Sequence, residues 1–181
     1  TCIAYETVET EDGLVPLLAP MSEIAGKMAP MIASIYLATP SGGKGVLASS
    51  VEHVAPARFV ILGGGNAGRA AAKVALGIGA EVIILERFQC IIDKLQKLFP
   101  TASCVQATPE SIAHHVTTAD ALIGAIHIPG APAPKIVSRK MVAGMEKGSV
   151  IVDIAIDQGG CIETSRPTTH SDPVYVAEGV I

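Results

Sequence analysis

Aromatic residues are scarce in this sequence: they make up 3% of its 181 residues, and tryptophan is absent. Proteins that bind single-stranded nucleic acid stack bases on several aromatic side chains, and this chain has too few for such a surface. Its formal net charge is −4, and no run of basic residues occurs, so the electrostatic signature of a nucleic-acid-binding protein is missing as well. We therefore expect no nucleic-acid partner.

Long apolar stretches and paired cysteines are missing too. Hydrophobic residues make up 49% of the chain, yet no continuous run approaches the roughly 18 residues of a membrane span, and no signal peptide is visible. The cysteines, Cys2, Cys90, Cys104 and Cys161, show neither a CxxC pair nor the spacing of metal ligands. We interpret them as thiols in a reducing compartment, and we expect a cytoplasmic protein with no membrane partner and no metal.

The most informative stretch is a glycine-rich turn between two apolar runs. The first run, residues 59–62, has the length of a β-strand, and the pattern G-x-G-x-x-G follows it at residues 63–68. A helical pattern comes next, and a second apolar run at residues 82–85 ends on Glu86. This order of strand, turn, helix and strand, with an acid at the end of the second strand, is typical of a dinucleotide-binding βαβ unit. The alternative is a glycine-rich turn that only closes the unit.

Each residue of this motif has a physical task in such a site. Gly63 permits the tight turn out of the strand, Gly65 lets the backbone approach a pyrophosphate, and Gly68 lets the helix pack close to the strand. The helix N-terminus offers N–H donors and a partial positive charge to the phosphates. Glu86 is placed to accept hydrogen bonds from the adenosine ribose and would repel the 2′-phosphate of NADP, although the adjacent Arg87 could accommodate that phosphate. We therefore expect NAD as the cofactor.

Strands and helices are predicted to alternate along the rest of the chain. Short apolar segments indicate a third strand at residues 104–105, a fourth at 120–126, a fifth at 149–154 and the start of a sixth at 174–176. Each of these follows a helical pattern or a turn-forming segment. The alternation predicts an α/β fold with a Rossmann-type, doubly wound, open parallel sheet in three layers.

The part of the chain before the glycine-rich stretch is less regular. Residues 1–18 are compatible with a strand and a hairpin-like excursion, and a helix is predicted to begin at Pro20. Ser22 could cap this helix, or it could direct its hydroxyl at a cofactor phosphate. The Gly- and Pro-rich segment 41–57 is interpreted as a linker, with Lys44 in solvent.

Two later helices carry recognisable start signals. Thr108, followed by Pro109, is predicted to cap one of them, and Ser138 is predicted to cap the other. His114 and His115 are adjacent on the first of these helices and point in different directions, so they cannot comfortably chelate one metal. We interpret both histidines as part of a solvated face.

The loops that follow the fourth and fifth strands are candidates for ligand contact, because ligands of doubly wound sheets bind beyond the carboxyl ends of the strands. The first loop contains His127, which we interpret as structural rather than as a ligand contact. The second loop contains Asp157, followed by Gly159 and Gly160. Asp157 is either a functional acid or an Asx-turn residue that shapes the loop.

The sequence resembles the alanine dehydrogenase and transhydrogenase alpha-subunit family over nearly its whole length. The segments DQGG at residues 157–160 and SRPTT at residues 165–169 are specific, and they favour alanine dehydrogenase over its transhydrogenase relatives. The other matching segments are residues 1–7, 20–23, 42–45, 60–65, 124, 128–130 and the remainder of 148–169.

The resemblance implies roles for individual residues. Ser22 would contact the cofactor phosphates, which favours that role over the helix cap. Glu86 would hold the adenosine ribose, where the family usually has Asp. Asp157 would be the catalytic acid near the nicotinamide and would work by general acid–base catalysis. The residues that the resemblance assigns to the cofactor are Ser22, Gly63, Gly65, Asn66, Ala67, Gly68, Glu86, Ala125, Ile126 and Ile154.

The chain departs from the family pattern at three further places. Residues 86–90 differ from the usual join between strand and helix, so the ribose contacts there are less certain. Ala107 stands where relatives often have a serine near the adenine. His127 replaces an aliphatic residue beside the nicotinamide loop.

The resemblance also implies how the chain is organised. Residues 1–40 would be an inter-domain strand and helix segment, residues 41–57 a linker, and residues 58–181 the NAD-binding Rossmann domain. The substrate domain would be largely absent. The start at Thr1 without a methionine and the strand-like end also predict a piece of a longer polypeptide.

The family reaction converts L-alanine, NAD and water into pyruvate, ammonium and NADH. Because catalysis needs the whole set of groups held in place, we expect this chain by itself to bind NAD(H) with little or no turnover. The alternatives are an NAD-binding module without catalysis and a transhydrogenase-alpha-like subunit. The family implies a homo-oligomeric parent enzyme, and the apolar face of the helix at residues 24–36 could serve as its interface or pack on the missing domain.

Overall fold

The computed structural model describes residues 4–11, 13–128 and 130–181. In this part of the chain, the α-helices are α1 (Ala19–Leu37), α2 (Asn66–Gly77), α3 (Gln89–Leu98), α4 (Pro109–Thr117) and α5 (Arg139–Ala143). The strands are β1 (Arg58–Leu62), β2 (Glu81–Glu86), β3 (Ser103–Gln106), β4 (Ala121–Gly124) and β5 (Val150–Asp153). Short 3-10 helices lie at Tyr5–Thr7, Thr39–Ser41 and Ile154–Gln158.

The strands form one parallel sheet in the order β3-β2-β1-β4-β5. The chain starts at the centre with β1, moves outward through β2 and β3, and then crosses to the other side of β1. Val60 on β1 accordingly lies beside Ile83 on one side and Leu122 on the other. This strand order is that of a Rossmann-type doubly wound sheet, so the predicted fold class is confirmed.

The two faces of β1 belong to two separate cores. Phe59 and Ile61 pack with side chains of α1, α2 and α3, whereas Val60 and Leu62 pack with side chains of α4 and α5. All four side chains are at most 1% exposed. Because helices cover both faces of the sheet, its strands are apolar on both sides, as is usual for parallel sheets. The three layers are thus helices, sheet and helices.

Small residues let α1 lie directly against α2. A Cβ atom added to Gly26 would come within 2.2 Å of the Ala67 carbonyl oxygen, so this contact requires glycine. Ala29 and Ala33 are at most 1% exposed and belong to the same core as Phe59. Helix α1 is therefore part of the packing of the sheet, while the proposed domain boundaries stay a prediction.

The segment predicted as a linker is anchored at the amino ends of the strands. The Lys44 ammonium lies 2.6 Å from the Asp120 carboxylate and also pairs with Glu146, and the lysine side chain is 11% exposed. Burial alone would lower the pKa of Lys44, but the hydrogen bonds and charges of the two carboxylates outweigh this effect and raise it. The prediction that Lys44 lies in solvent is wrong, because its partners come from distant parts of the chain.

The predicted sixth strand does not begin at residues 174–176. The Tyr175 hydroxyl donates to the Thr164 carbonyl and accepts the Arg166 N–H, so this segment closes a loop instead of joining the sheet. Ile181 instead lies along β5: the Ile151 N–H donates to its carbonyl oxygen, and its own N–H donates to the carbonyl oxygen of Ser149, just before β5. The prediction of a strand at 174–176 is therefore wrong.

The first residues also differ from the prediction. Tyr5–Thr7 forms a 3-10 helix, and no strand is assigned in residues 4–11 or 13–18. Cys2 and Ile3, which carry part of the strand prediction, lie outside the described residues.

The predicted caps of the later helices are confirmed. The prediction that both histidines of the adjacent pair are solvated holds for only one of them. Thr108 accepts a hydrogen bond from an N–H in the first turn of α4, and Ser138 does the same for α5. His114 is exposed, as predicted, but His115 is half-buried. Burial, the charge of His114 and the charge of Arg58 lower the pKa of His115.

Within the described ranges, no helix has both the length and the apolar character that crossing a membrane would require. In the same ranges, no group of three or more His, Cys, Asp or Glu side chains is arranged to hold a metal ion.

Candidate dinucleotide-binding site

The loops that follow β1, β4 and β5 meet at one edge of the sheet. A Cβ atom added to Gly63, directly after β1, would lie 2.8 Å from the carbonyl oxygen of Ala125, directly after β4. The two loops are therefore in contact at the point where the strand order reverses. In open α/β sheets, the crevice at this switch point is where ligands bind.

The glycines of the loop after β1 meet different surroundings. Gly63 has φ +98°, a backbone conformation that L side chains rarely adopt. A Cβ atom at Gly68 would come within 1.9 Å of the Gly63 carbonyl oxygen, so α2 can approach the loop only with glycine there. At Gly65, in contrast, a Cβ atom would have no atom within 4 Å. The loop thus closes tightly on its inner side and leaves open space beside Gly65.

Helix α2 begins beside this open space. Its N-cap residue is Gly65, and no side chain forms a capping hydrogen bond with the first turn in the described part of the chain. The N–H groups of Asn66, Ala67 and Gly68 are the donors that such an uncapped first turn presents. The Asn66 side chain accepts a hydrogen bond from Arg69 on the next turn. A negatively charged group beside Gly65 would meet these donors and the positive end of the helix dipole.

Glu86 lies at the end of β2 and ties this strand to the glycine loop. Its carboxylate accepts the Gly64 N–H at 2.8 Å through Oε2, and the Arg87 and Phe88 N–H groups at 2.7 and 3.1 Å through Oε1. Glu86 is only 8% exposed. A carboxylate has about four acceptor positions, so about one remains for a ligand hydroxyl.

The residues predicted for the nicotinamide side lie across the crevice. Ala125 is 9% exposed, and Ile126 and Ile154 are half-buried. They directly follow β4 and β5, which are neighbours in the sheet. These side chains give this half of the crevice an apolar surface. His127, in the same loop as Ile126, is exposed.

Asp157 lies in the 3-10 helix Ile154–Gln158, and its side chain is exposed. No hydrogen bond or ion pair of the Asp157 carboxylate occurs among the described residues. An Asx-turn residue would bond its own loop, so the geometry does not support that alternative. The loop instead turns through Gly159 and Gly160, which have φ +90° and +76°. Asp157 therefore reaches solvent beside the crevice.

Ser22 is not the cap of α1. The helix begins at Ala19, its N-cap residue is Leu18, and Pro20 lies in the first turn. The cap interpretation fails because Pro20 fits inside the first turn of a helix and lets the helix start earlier. Ser22 is half-buried and lies one turn before Gly26, the residue that packs against the α2 backbone. Its contact with a cofactor stays a prediction.

Asp153, the last residue of β5, is a further residue of this region that the sequence patterns do not single out. Its carboxylate accepts the Cys161 N–H at 3.0 Å, and the Cys161 thiol faces it at 3.5 Å. Burial and the charge of Asp153 raise the pKa of the Cys161 thiol, so the thiol stays protonated. The signal that could have indicated this arrangement is the acid at the end of an otherwise apolar strand.

The chain matches the family described as "Alanine dehydrogenase/PNT, C-terminal domain" over residues 29–181. The alanine dehydrogenase of Halomonas elongata is 48% identical to it over 185 residues, which cover 100% of this chain and 49% of that protein. A solved structure of L-alanine dehydrogenase matches with a TM-score of 0.94 at 45% identity and covers 98% of this chain and 50% of the other. A transhydrogenase structure from Sinorhizobium meliloti matches with a TM-score of 0.76 at 28% identity, over 90% of this chain and 46% of the other.

The fold and the crevice define a dinucleotide-binding domain of the Rossmann type. The chain belongs to the alanine dehydrogenase/PNT C-terminal domain family, in which this domain binds NAD(H). It spans about half the length of the curated relatives it matches. The family resemblance is confirmed, and the identities of 45% and 28% to the two structures agree with the preference for alanine dehydrogenase.

Proposed function

We propose that this chain binds NAD(H) in the crevice between β1 and β4 and is the cofactor domain of an NAD-dependent alanine dehydrogenase. The observation that carries this proposal is the contrast between two glycines. A Cβ atom at Gly68 would overlap the backbone, whereas one at Gly65 would enter open space beside the uncapped start of α2. Internal packing explains why residue 68 is a glycine, and a bound pyrophosphate would explain why residue 65 is one.

The pyrophosphate would lie against the first turn of α2. The N–H groups of Asn66, Ala67 and Gly68 donate to its oxygens, and the helix dipole stabilises its negative charge. Gly63 shapes the turn that brings these groups together. Ser22 contributes a hydroxyl from α1 in this arrangement.

Glu86 would accept a hydrogen bond from a ribose hydroxyl through its remaining acceptor position. A 2′-phosphate would place a second negative group beside this carboxylate, which disfavours NADP. The neighbouring Arg87 could offset that repulsion, but its guanidinium lies over the Phe88 ring at 5.5 Å. We therefore propose NAD rather than NADP as the cofactor.

Ala125, Ile126 and Ile154 would hold the nicotinamide ring and exclude water from one of its sides. When bound, the cofactor accepts a hydride from the carbon of the substrate. Asp157 would take and return the protons of the water or amine that reacts at this carbon, as a general acid–base catalyst. An exposed carboxylate without an internal partner among the described residues is free to do so.

L-alanine and pyruvate are the substrate pair of this proposal. The groups that hold the substrate carboxylate are expected outside these residues, so we expect slow turnover or none from this chain alone. We also propose a cytoplasmic location, because the described cysteines Cys90, Cys104 and Cys161 are free thiols. The transhydrogenase alternative has lower sequence identity, and no feature of the crevice in the described residues favours it.

A homo-oligomeric parent enzyme is supported by the outer face of α1. Its residues Met21, Ile24, Met28, Met31 and Ile35 are 51% to 60% exposed and follow the three-four spacing of a helix–helix seam. Sedimentation of the chain with and without Met28→Lys tests this interface. A dimer that dissociates in the variant supports it, and a monomeric wild-type chain contradicts it for these residues.

Calorimetric titration with NADH and NADPH tests the cofactor proposal. We expect NADH to bind at least about tenfold more tightly than NADPH. Glu86→Ala should abolish the preference and weaken NADH binding, whereas Asp157→Ala should leave NADH binding unchanged. An absence of NADH binding, or a preference for NADPH, would contradict the proposal.

A further inference from the structure

The carboxylate of Asp153 closes the loop that carries Asp157. Its Oδ2 atom accepts the N–H of Cys161 at 3.0 Å and the N–H of Ile162 at 3.3 Å. The thiol of Cys161 lies 3.5 Å from Oδ1, and this cysteine is 0% exposed. One side chain at the end of β5 thus binds the backbone on the far side of the loop.

The carboxylate of Asp153 leaves no room for a side chain at Gly124 or at Gly160. A Cβ atom added to Gly124 would lie 2.7 Å from Oδ1 and 2.6 Å from the Cys161 sulfur. A Cβ atom added to Gly160 would lie 2.6 Å from Oδ2. Neighbouring glycines on β4 and on the loop itself therefore make space for the carboxylate. We call this group, formed by Gly124, Asp153, Gly160 and Cys161, the loop anchor.

The loop anchor fixes both ends of residues 154–160, the segment that lies between Asp153 and Cys161. Residues 154–160 leave β5 at Asp153 and return to the same side chain at Cys161. Ile154 and Asp157 lie inside this closed segment. Their positions relative to the crevice consequently depend on the two hydrogen bonds that Asp153 accepts.

We propose that Asp153 is a positioning residue, which holds Ile154 and Asp157 against the nicotinamide half of the crevice. This inference rests on the proposed NAD(H) site. Asp153 does not contact the adenosine half, which is built from the glycine loop and Glu86. Loss of the anchor should therefore affect ligands that carry a nicotinamide and spare those that lack it.

The test compares NADH with ADP-ribose, which has the adenosine, the pyrophosphate and the second ribose but no nicotinamide. Calorimetric titrations are made with the wild-type chain, Asp153→Ala and Asp153→Asn. We expect Asp153→Ala to weaken NADH binding about tenfold and ADP-ribose binding less than about twofold, since hydrogen bonds to a charged acceptor are lost. Asp153→Asn retains an oxygen acceptor for the Cys161 and Ile162 N–H groups, so it should recover most of the NADH affinity.

A core variant separates positioning from general destabilisation. Val82→Ala leaves a cavity at a buried site on β2, in the core on the other face of the sheet from Cys161 and Ile162. It should lower the melting temperature without changing the ratio of the NADH and ADP-ribose affinities. Equal losses for both ligands in Asp153→Ala, or unchanged NADH binding, would overturn the positioning role.

Amide hydrogen exchange measures, without any ligand, whether the loop anchor orders the loop. Residues 154–162 should lose protection in Asp153→Ala and keep it in Val82→Ala. If the wild-type chain bound neither ligand, the proposed function would fail, while this exchange pattern would still decide whether Asp153 orders the loop. Unchanged protection in Asp153→Ala would overturn the inference in either case.

Discussion

Carboxylates at the two edges of the sheet have different partners. At the carboxyl ends of the strands, Glu86 and Asp153 accept hydrogen bonds from backbone N–H groups. At the amino ends, Asp120 is paired with the Lys44 ammonium, which also binds Glu146. Asp120 also accepts the Arg58 N–H at 2.6 Å, so backbone donors hold carboxylates at both edges. The second edge adds the Lys44 cation, whereas the first leaves open space beside Gly65. We propose that the first edge binds the ligand and that the second anchors the segment that contains Lys44.

The most disruptive change at the ligand edge should be Gly68→Ala. The new Cβ atom would lie 1.9 Å from the Gly63 carbonyl oxygen, so α2 must move away from the sheet. We expect a loss of about 3 kcal/mol in the free energy of unfolding, and NADH binding should be lost with it. Urea unfolding measures the first effect. The control is Gly77→Ala, where the Cβ atom has no atom within 4 Å. Equal stability of the two variants would show that the contact between α2 and the loop is not rigid.

Gly65→Val should separate binding from folding. Gly65 has φ −70° and ψ −164°, which a valine can adopt, and its Cβ direction is open. We expect a loss of only about 1 kcal/mol in stability, because Gly65 is the N-cap residue of α2 and valine is less favourable than glycine there. NADH affinity should fall about 100-fold, because the side chain would fill the pyrophosphate position. Calorimetry and urea unfolding give the two values, and undiminished affinity would place the pyrophosphate elsewhere.

Lys44→Met tests the opposite edge. The substitution keeps the apolar stem but leaves Asp120 and Glu146 without their cation. We expect a loss of about 2 kcal/mol in stability, as one partner of a partly buried ion pair is removed. NADH affinity should not change, because no predicted cofactor residue touches this group. A large loss of affinity at unchanged stability would remove the distinction between the two edges.

His115→Gln should give the smallest effect, in the pH dependence of stability. Burial, His114 and Arg58 lower the pKa of His115 below its ordinary value of 6.5. The folded chain therefore protonates this histidine at a lower pH than the unfolded chain. The stability that its neutral form contributes is complete above pH 6.5 and is lost as the pH falls through the lower, folded-state pKa.

The melting temperature of His115→Gln should consequently decline less than that of the wild type between about pH 7 and about pH 5. The control is His170→Gln, at an exposed histidine that is not among the groups that lower the pKa of His115. Parallel curves for the wild type and His115→Gln would show that this histidine does not contribute.

The βαβ unit can be predicted from sequence because its signals are local. The G-x-G-x-x-G pattern, the apolar runs beside it and the acid at Glu86 all lie within one continuous stretch, and the structure has the predicted elements there. The caps Thr108 and Ser138 are local as well, and both are confirmed. The geometry of a tight turn or a helix cap depends on a few neighbouring residues, so the sequence of those residues is enough to predict it.

The errors concern contacts between distant residues. Lys44 lies in a glycine-rich segment that predicts solvent exposure, but its partner Glu146 is 102 residues away. Residues 174–176 have the composition of a strand, yet the Tyr175 hydroxyl holds them in a loop through the backbone of Thr164 and Arg166. The loop anchor likewise combines residues from β4, β5 and the loop that follows. Local pattern cannot reveal which side chain satisfies which distant group.

Amide NMR of the chain during a titration with NADH tests the difference between the two edges most directly. We expect shifts at residues 63–68, 125–126 and 154–157, on the carboxyl edge of the sheet. The amides of Lys44, Asp120 and Glu146 should not shift. Shifts centred on the amino edge, or no shift along residues 63–68 at saturating NADH, would contradict the assignment of the ligand edge.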